Sequence, residues 1–459
     1  MYIQQIYTSC LAQASYYIES RGEAAIIDPI REPGPYLQLA AERGATIRYI
    51  FETHFHADFV SGHLDLSDKT NAVIVFGPNA KPAYPAFIAR HQERFLLGNI
   101  TLQVLHTPGH TIESSCVLLL DENDKAQAIF TGDTLFVGDV GRPDLLSGNK
   151  SKQELGAMLY DSIQDVIMPL ADEVVVYPGH GAGSACGKNL GTERFSTIGE
   201  QKKLNYALQP MSRNEFITRV TDELPVPPPY FFKDASINII GYSNLDKILD
   251  QSLRALSIAD VQALMKENSL LLDCRNGTVF SEGFIPGSLH IGLTGEFAPW
   301  VGSLIDIDRN LVLVCEKGTE KEAVTRLARI GFENISGYLS GGFESWKEAG
   351  LPVDTIESID AKDFSDAQQN AGMQWLDVRT NKEYRTIHLE EAIHIPLDQL
   401  QKEYQALNPD LPSLVYCKGG YRSMIAISIL KSLGYHQLIN VKGGIDKILA
   451  CSPQLSSVE

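Results

Sequence analysis

Over roughly the first 200 residues, short apolar runs alternate with polar ends: SYYIES, EAAIIDP, YIFETH, AVIVFG, ITLQVLHTPGH, SCVLLLD, AIFTGD and EVVVYPGH. Runs of this length, rich in β-branched and aromatic residues, predict strands. Helical periodicity intervenes in stretches such as GPYLQLAAERG. Beyond about residue 250 the rhythm changes. There SLLLDC, NLVLVC and SLVYC alternate with the helical patterns EKEAVTRLARIGF and RSMIAISILKSLGY. That alternation predicts parallel sheets flanked by helices.

DELPVPPPYFF, residues 222–232, separates the two regimes, with four prolines in the five positions from Pro225 to Pro229. Such a run excludes helix and central strand, so the first domain is expected to end just beyond it, near residue 250. The rest of the chain repeats itself. LLLDCRNGTVFSEGFIPGSLHIGL from Leu270 matches QWLDVRTNKEYRTIHLEEAIHIPL from Gln374, and LVLVCEKGTE from Leu311 matches PSLVYCKGGYR from Pro412. A third pair is GYLSGGFESW from Gly337 against INVKGGIDKI from Ile439. Cys315 and Cys417 stand 102 positions apart, and Asp273 and Asp377 stand 104 apart. Two copies of one domain follow, at 251–354 and 355–459 behind a first domain of 1–250. At about 150 residues per domain, a chain of 459 accommodates three, each able to bury a core.

A formal charge of −18 argues against nucleic acid or an anionic membrane as partner. The opening MYIQQIYTSC lacks the features of a secretion signal, and no stretch reaches the ~20 apolar residues of a membrane span. Seven cysteines, an odd and scattered set, fit reduced thiols, so a cytoplasmic location is expected.

Candidate ligands end four of the strands: ETHFHAD offers His54, His56 and Asp58, HTPGH offers His110, FTGD offers Asp133 and VYPGH offers His180. Loops at one sheet edge bring together residues distant in sequence. The series HxHxD, PGH, TGD, PGH resembles the metallo-β-lactamase superfamily over roughly residues 1–200, which implies an αββα sandwich. The two-metal hydrolases of that superfamily complete the first motif as HxHxDH. Here Phe59 stands at the last position, without a lone pair, and a mononuclear centre is favoured. GDVGRPDL from Gly138 and YPGHGAGSACG from Tyr177 resemble the persulfide dioxygenases within the superfamily. That resemblance implies one Fe(II) per chain held by His54, His110 and Asp133. Two imidazoles and a carboxylate leave positions open for water, O₂ and a substrate sulfur. Familiar members of that family keep a histidine where Phe59 stands and still bind one metal, so Phe59 does not itself identify iron. His56, Asp58 and His180 are expected as hydrogen-bonding partners or possible ligands, and His63, if a helix starts there, as a substitute for the missing donor or a structural neighbour. Arg142 offers a fork of donors to a substrate anion, or an ion pair to Asp144. Cys116 and Cys186 read as buried small residues.

YCKGGYRS, residues 416–423, sets Cys417 at a strand end before a helix, opening a loop of six residues that closes on Arg422. Backbone N–H groups of Lys418, Gly419, Gly420 and Tyr421 can form an anion nest there, and the helix start with Arg422 adds positive potential that favours thiolate. With DVRTNKEY and the near-terminal KGG, this resembles a rhodanese domain over 355–459, which implies that Cys417 carries a persulfide sulfur. Related phosphatases use seven-residue loops, so six residues argue for sulfur. In the middle copy, CEKGTEKE puts Glu320 in the place of Arg422 and Glu316 beside Cys315, with Lys317 and Lys321 in partial compensation. An inactive, structural middle rhodanese is expected.

The resemblance therefore implies an α/β chain: an N-terminal αββα metallo-β-lactamase sandwich followed by two rhodanese-like three-layer α/β domains, similar to persulfide dioxygenase–rhodanese fusions. The expected chemistry is oxidation of a small thiol persulfide by O₂ to sulfite and thiol, joined to sulfur transfer between sulfite and thiosulfate in sulfide detoxification. A homo-oligomer is expected, with aromatic residues beside the proline run as a subunit contact. Two alternatives stand beside it. One is a zinc thioester hydrolase of the glyoxalase II kind, working with metal-bound hydroxide. The other is a sulfur carrier in which Cys417 relays persulfide and the metal domain is structural.

Overall fold

The computed structural model describes residues 1–145, 150–224, 226–364, 372–451 and 456–457. Pro225 of the proline run lies outside them. The chain forms two compact units, one of Met1–Ile248 with Leu327–Phe332, the other of Leu249–Arg326 with Glu333–Glu459. No helix among the described residues is long and apolar enough to cross a membrane.

The first unit is built on two six-stranded sheets. One runs in order β1 (Tyr2–Thr8), β2 (Gln13–Ser20), β3 (Glu23–Ile27), β4 (Thr46–Glu52), β5 (Val73–Phe76), β6 (Phe87–Ile88). The other places β7 (Arg94–Leu97), β8 (Ile100–His106), β9 (Ser115–Leu120), β10 (Ala126–Gly132), β11 (Val175–Pro178) and β12 (Ser196–Thr197) side by side in that order. Side chains alternate across a strand, and both faces are covered here, which is why the strands read as near-continuous apolar runs. Tyr16, Ile18, Phe51, Leu102, Val117 and Phe130 meet between the sheets. Tyr17, Ile26, Ile50 and Phe76 point outward and pack under Tyr36, Ala40 and Leu66 of the helices Gly34–Arg43 and His63–Thr70. Leu118, Ile129 and Val176 do the same on the opposite side, under Leu159, Ile163 and Phe216. The result is a helix–sheet–sheet–helix sandwich, as expected.

Two features were not legible. Strand β1 is half-buried and interrupted by Gln4 and Gln5, so its apolar run is too broken to stand out. The proline run leads directly into a helix, Phe231–Ile240, whose Ile239 packs on the same outward face as Tyr17, Ile26 and Phe76. Tyr230 and Phe231 are buried within their own chain, while Phe232 is exposed, so most of the aromatic surface assigned to a subunit contact is already used internally.

The repeat is present in the second unit. Each copy forms a five-stranded parallel sheet. The first runs Ala255–Leu256, Ile335–Leu339, Leu311–Val314, Leu270–Asp273, Leu289–His290. The second runs Glu357–Asp360, Leu438–Lys442, Ser413–Tyr416, Gln374–Asp377, Ile393–His394, the same order. In both, the LDxR segment is tied by a buried pair, Arg275 to Asp273 and Arg379 to Asp377, each at 2.6 Å. A buried arginine needs such a partner to offset its desolvation.

Candidate metal centre and sulfur loop

β4, β8, β10 and β11 end at one edge of the sandwich, and the residues just beyond them are His54, His110, Asp133 and His180. His54, His110 and Asp133 are buried, with one ligand atom from each lying within 4.8 Å of the others. Their Nε2 atoms stand 3.9 Å and 3.5 Å from Asp133 Oδ2. The surrounding hydrogen bonds set which ring nitrogens are free. Asp28 Oδ1 accepts from the Thr53 N–H at 2.7 Å, and its Oδ2 accepts from Thr53 Oγ1 at 2.8 Å. That hydroxyl, its proton spent on Asp28, receives the proton of His54 Nδ1 at 2.9 Å, leaving a lone pair on Nε2. His110 Nδ1 donates to the Arg142 carbonyl at 2.9 Å, with the same consequence. Burial, with His56 beside it, pushes the His54 imidazole well below its usual range, so it is neutral and able to ligate. Burial works against ionisation of Asp133, yet His180, His54 and His110 hold its carboxyl far below the ordinary range. Asp133 Oδ2 is buried and has no hydrogen-bond partner among the described residues. Two imidazoles and an unpartnered carboxylate oxygen converging in the interior are the donor set a divalent transition metal requires, so the residues fit the group. Gly141 of GRPD is compelled by the same packing, since a Cβ there would meet the Asp133 carbonyl at 2.0 Å and His110 Nδ1 at 2.9 Å.

The remaining candidates surround this triad. His180 lies between two carboxylates, with Nδ1 2.7 Å from Asp133 Oδ1 and Nε2 2.7 Å from Asp58 Oδ2. Burial opposes its charge, but Asp133 and Asp58 outweigh that and keep it an imidazolium. His56, its ring 4.2 Å from that of His54, has Nε2 3.2 Å from Asp28 and 3.6 Å from Glu52. Burial lowers its pKa, the two acids raise it, and the balance is about 9. His63 opens the helix His63–Thr70, but its ring lies among Tyr84 and Tyr242, at 5.1 and 5.4 Å, with Nδ1 3.5 Å from Glu52. It does not stand in for the missing donor. Arg142 forms the ion pair, Nε to Asp144 Oδ1 at 2.7 Å and Nη2 to Oδ2 at 2.9 Å. Cys186, set aside in the sequence as a small buried residue, is buried, yet its sulfur lies within 4.8 Å of ligand atoms of Asp58 and His180.

Two supports carry no periodic signal in the sequence pattern. Asp28 ends the run EAAIID and orients His54 through Thr53; an acid at a strand end was the available signal. Asn238, from the helix after the prolines, donates to the carbonyls of His56 and Phe59, both at 2.8 Å, and accepts from the Ser61 N–H at 3.0 Å. One buried amide thus holds the loop that carries the first motif.

In the second unit, Cys417 follows the strand Ser413–Tyr416 and precedes the helix Tyr421–Ser432. The Gly420 N–H donates to its sulfur at 3.0 Å, one arm of the expected nest. The guanidinium of Arg422 is held by both oxygens of Glu383 at 2.7 Å. Gly444 of the KGG stretch crosses the loop so closely that a Cβ would stand 2.2 Å from the Cys417 carbonyl, at a φ of +57°. In the middle copy the corresponding amide is taken: the Gly318 N–H donates to Glu320 Oε2 at 2.9 Å. Glu316 in turn accepts from the Asn276 N–H at 3.0 Å. The charge-reversed loop fills its own nest with a carboxylate.

Residues 8–180 match the family model of the metallo-beta-lactamase superfamily, and residues 257–349 and 360–451 each match that of the rhodanese-like domain. Among solved structures, a metallo-beta-lactamase from Staphylococcus aureus subsp. aureus COL is 34% identical, covering 74% of this chain and 98% of its own, with a TM-score of 0.66. ETHE1 from Myxococcus xanthus is 32% identical, covering 52% of this chain and 98% of its own, with a TM-score of 0.45. The mitochondrial hydroxyacylglutathione hydrolase of Saccharomyces cerevisiae is 26% identical over 231 residues, 48% of this chain and 80% of its own length.

Proposed function

The chain belongs to the metallo-beta-lactamase superfamily and carries two rhodanese-like domains behind that fold, and from this premise we propose that it is a persulfide dioxygenase joined to a sulfurtransferase. The domains are taken as 1–250 for the metal domain, 251–354 for the degenerate copy and 355–459 for the active copy. The overall reaction is RSSH + O₂ + H₂O giving RSH, sulfite and two protons, with sulfite then taking a further sulfane sulfur to become thiosulfate.

The observation that carries this reading is the buried triad of His54, His110 and Asp133, with Phe59 where a further donor would complete a second site. Those three side chains would hold a single Fe(II), which would supply the redox chemistry with O₂. The chain's own residues fix the conditions around it. Thr53 and the Arg142 carbonyl hold the two imidazoles in the tautomer that presents Nε2. The imidazolium of His180, shared between Asp133 Oδ1 and Asp58 Oδ2, holds a proton on the carboxylate whose other oxygen faces the two imidazoles, and would lend it to a leaving thiolate. In the last domain, the Gly420 N–H steadies charge on Cys417 as it accepts and releases sulfur.

A zinc thioester hydrolase is the rival reading, and the name of the yeast relative favours it. Metal analysis after anaerobic expression with ample iron, followed by O₂ uptake on adding glutathione persulfide or coenzyme A persulfide, separates the two. About one iron per chain and rapid uptake supports the dioxygenase. Two zincs, no uptake and hydrolysis of a glutathione thioester would replace it.

A further inference from the structure

The middle copy, read above as degenerate, holds a second thiol beside its loop cysteine. The strands Leu270–Asp273 and Leu311–Val314 are parallel neighbours, in register at Leu272 with Leu313 and Asp273 with Val314. The Cys274 N–H continues the ladder onto the Val314 carbonyl at 2.8 Å. The next residue along each chain is a cysteine, Cys274 on one and Cys315 on the other. Neighbouring strands lie about 4.8 Å apart, which falls within the ~4.4–6.8 Å Cα separation that a disulfide spans. Both cysteines are free and buried. Burial and the sulfur of Cys315 together push the Cys274 thiol well above its usual range, which keeps it protonated until a reaction draws on it.

The active copy makes the same junction with a different residue. Val378 N–H donates to the Tyr416 carbonyl at 3.1 Å, so Val378 occupies beside Cys417 the place that Cys274 occupies beside Cys315. The second thiol therefore belongs to the copy whose loop amide is turned toward Glu320. A sulfur received by Cys315 lacks the Gly318 N–H to steady it, and a thiol stands next to it instead. Access does not distinguish the copies, since Cys315 is 5% exposed and Cys417 1%.

We propose that Cys274 and Cys315 are a persulfide-consuming dithiol that closes to a disulfide. In the first step the Cys315 thiolate attacks the outer sulfur of a thiol persulfide RSSH. The S–S bond breaks, and RS⁻ leaves with the bonding pair and takes up the proton given by Cys315. In the second step Cys274 gives up its proton and attacks Cys315 Sγ, displacing HS⁻, which leaves as H₂S with that proton. The two thiols lose two electrons, and the persulfide is reduced to a thiol and H₂S without O₂ or metal. The inference takes its oxidant from the proposed function, so its test is run where the metal chemistry is silent.

Full-length protein carrying Cys417→Ser is incubated with glutathione persulfide in the absence of O₂, denatured in iodoacetamide, digested and analysed by mass spectrometry. A peptide linked through Cys274 and Cys315, with release of H₂S, is the expected result. Adding Cys274→Ser should leave Cys315 as an alkylated persulfide, heavier by one sulfur. Recovery of both cysteines as alkylated thiols overturns the proposal, whether or not that second variant folds. Linkage by diamide but not by persulfide overturns it as well, because the pair would then close without using this substrate. Failure of O₂ uptake at the metal centre would overturn the dioxygenase and leave this result standing.

Discussion

The ring of Phe59 lies 4.4 Å from that of His56, tilted by 35°, at the motif position where the two-metal hydrolases carry a histidine. His180 is a second obstacle, because both of its nitrogens are committed to carboxylates. Restoring the donor alone therefore leaves the other obstacle in place. Phe59→His is expected to keep the metal content at one per chain, measured by elemental analysis of protein loaded with excess zinc. Placing a polar ring at this fully buried position should destabilise the fold by about 1–3 kcal/mol. A rise to two metals would assign mononuclearity to Phe59 alone.

Asn238 reaches the motif loop through three hydrogen bonds, and removing it frees the backbone on both sides of Phe59. Supports of this kind are worth roughly 10–100-fold in metal affinity. Asn238→Ala is expected to lose metal to a chelator at least ~10-fold faster than the wild type, while turnover per bound metal stays close to the wild-type value. A fall in turnover per bound metal with unchanged retention would place Asn238 in the chemistry rather than behind it.

The legible part of this molecule was the part written locally. His54, His110, Asp133 and His180 each end a strand whose apolar run is visible in the sequence, and a sheet edge is where such ends meet. Asp28 and Asn238 were not legible, because an acid 25 residues and an amide 182 residues from the groups they bind carry no periodic signal. The sequence offers Arg142 either to a substrate anion or to Asp144 two positions away, and the structure shows the pair with Asp144. Arg422, expected to add positive potential at the sulfur loop, is engaged by Glu383, 39 positions away, a partner that spacing does not signal. Glu320 was recognised as a charge reversal, but its capture of the Gly318 amide depends on loop backbone that charge alone does not specify.

Glu320→Ala removes the carboxylate from the Gly318 N–H and so offers that amide to Cys315, as Gly420 is offered to Cys417. The expected outcome is a several-fold faster alkylation of Cys315 by iodoacetamide at neutral pH, followed by peptide mass. An unchanged rate would mean that the loop does not re-form around the sulfur.

Cys417→Ser separates the two proposed activities. Persulfide-dependent O₂ uptake should remain near the wild-type rate, while the product shifts from thiosulfate to sulfite. Unchanged thiosulfate, after correction for the uncatalysed reaction of sulfite with persulfide, would remove Cys417 from the transfer.

The Glu383–Arg422 pair gives a pH dependence whose sign is fixed by structure. Burial would raise the Glu383 carboxyl, but Arg422 and the Thr380 N–H hold it down to about 2. A carboxyl whose folded pKa is depressed binds its proton more readily when unfolded. Its stabilising effect is therefore complete above the ordinary glutamate value of about 4.5 and is lost as pH falls toward 2. Glu383→Gln should lower the thermal midpoint of the unit that holds Cys417 by the same amount at pH 7 and pH 6. The difference between wild type and variant should then narrow steadily from about pH 4.5 downward. Both midpoints are followed by the same tryptophan fluorescence, with Trp375 buried in the core of that copy. A difference that persists unchanged to pH 3 would show that Glu383 acts through its shape and hydrogen bonds rather than its charge.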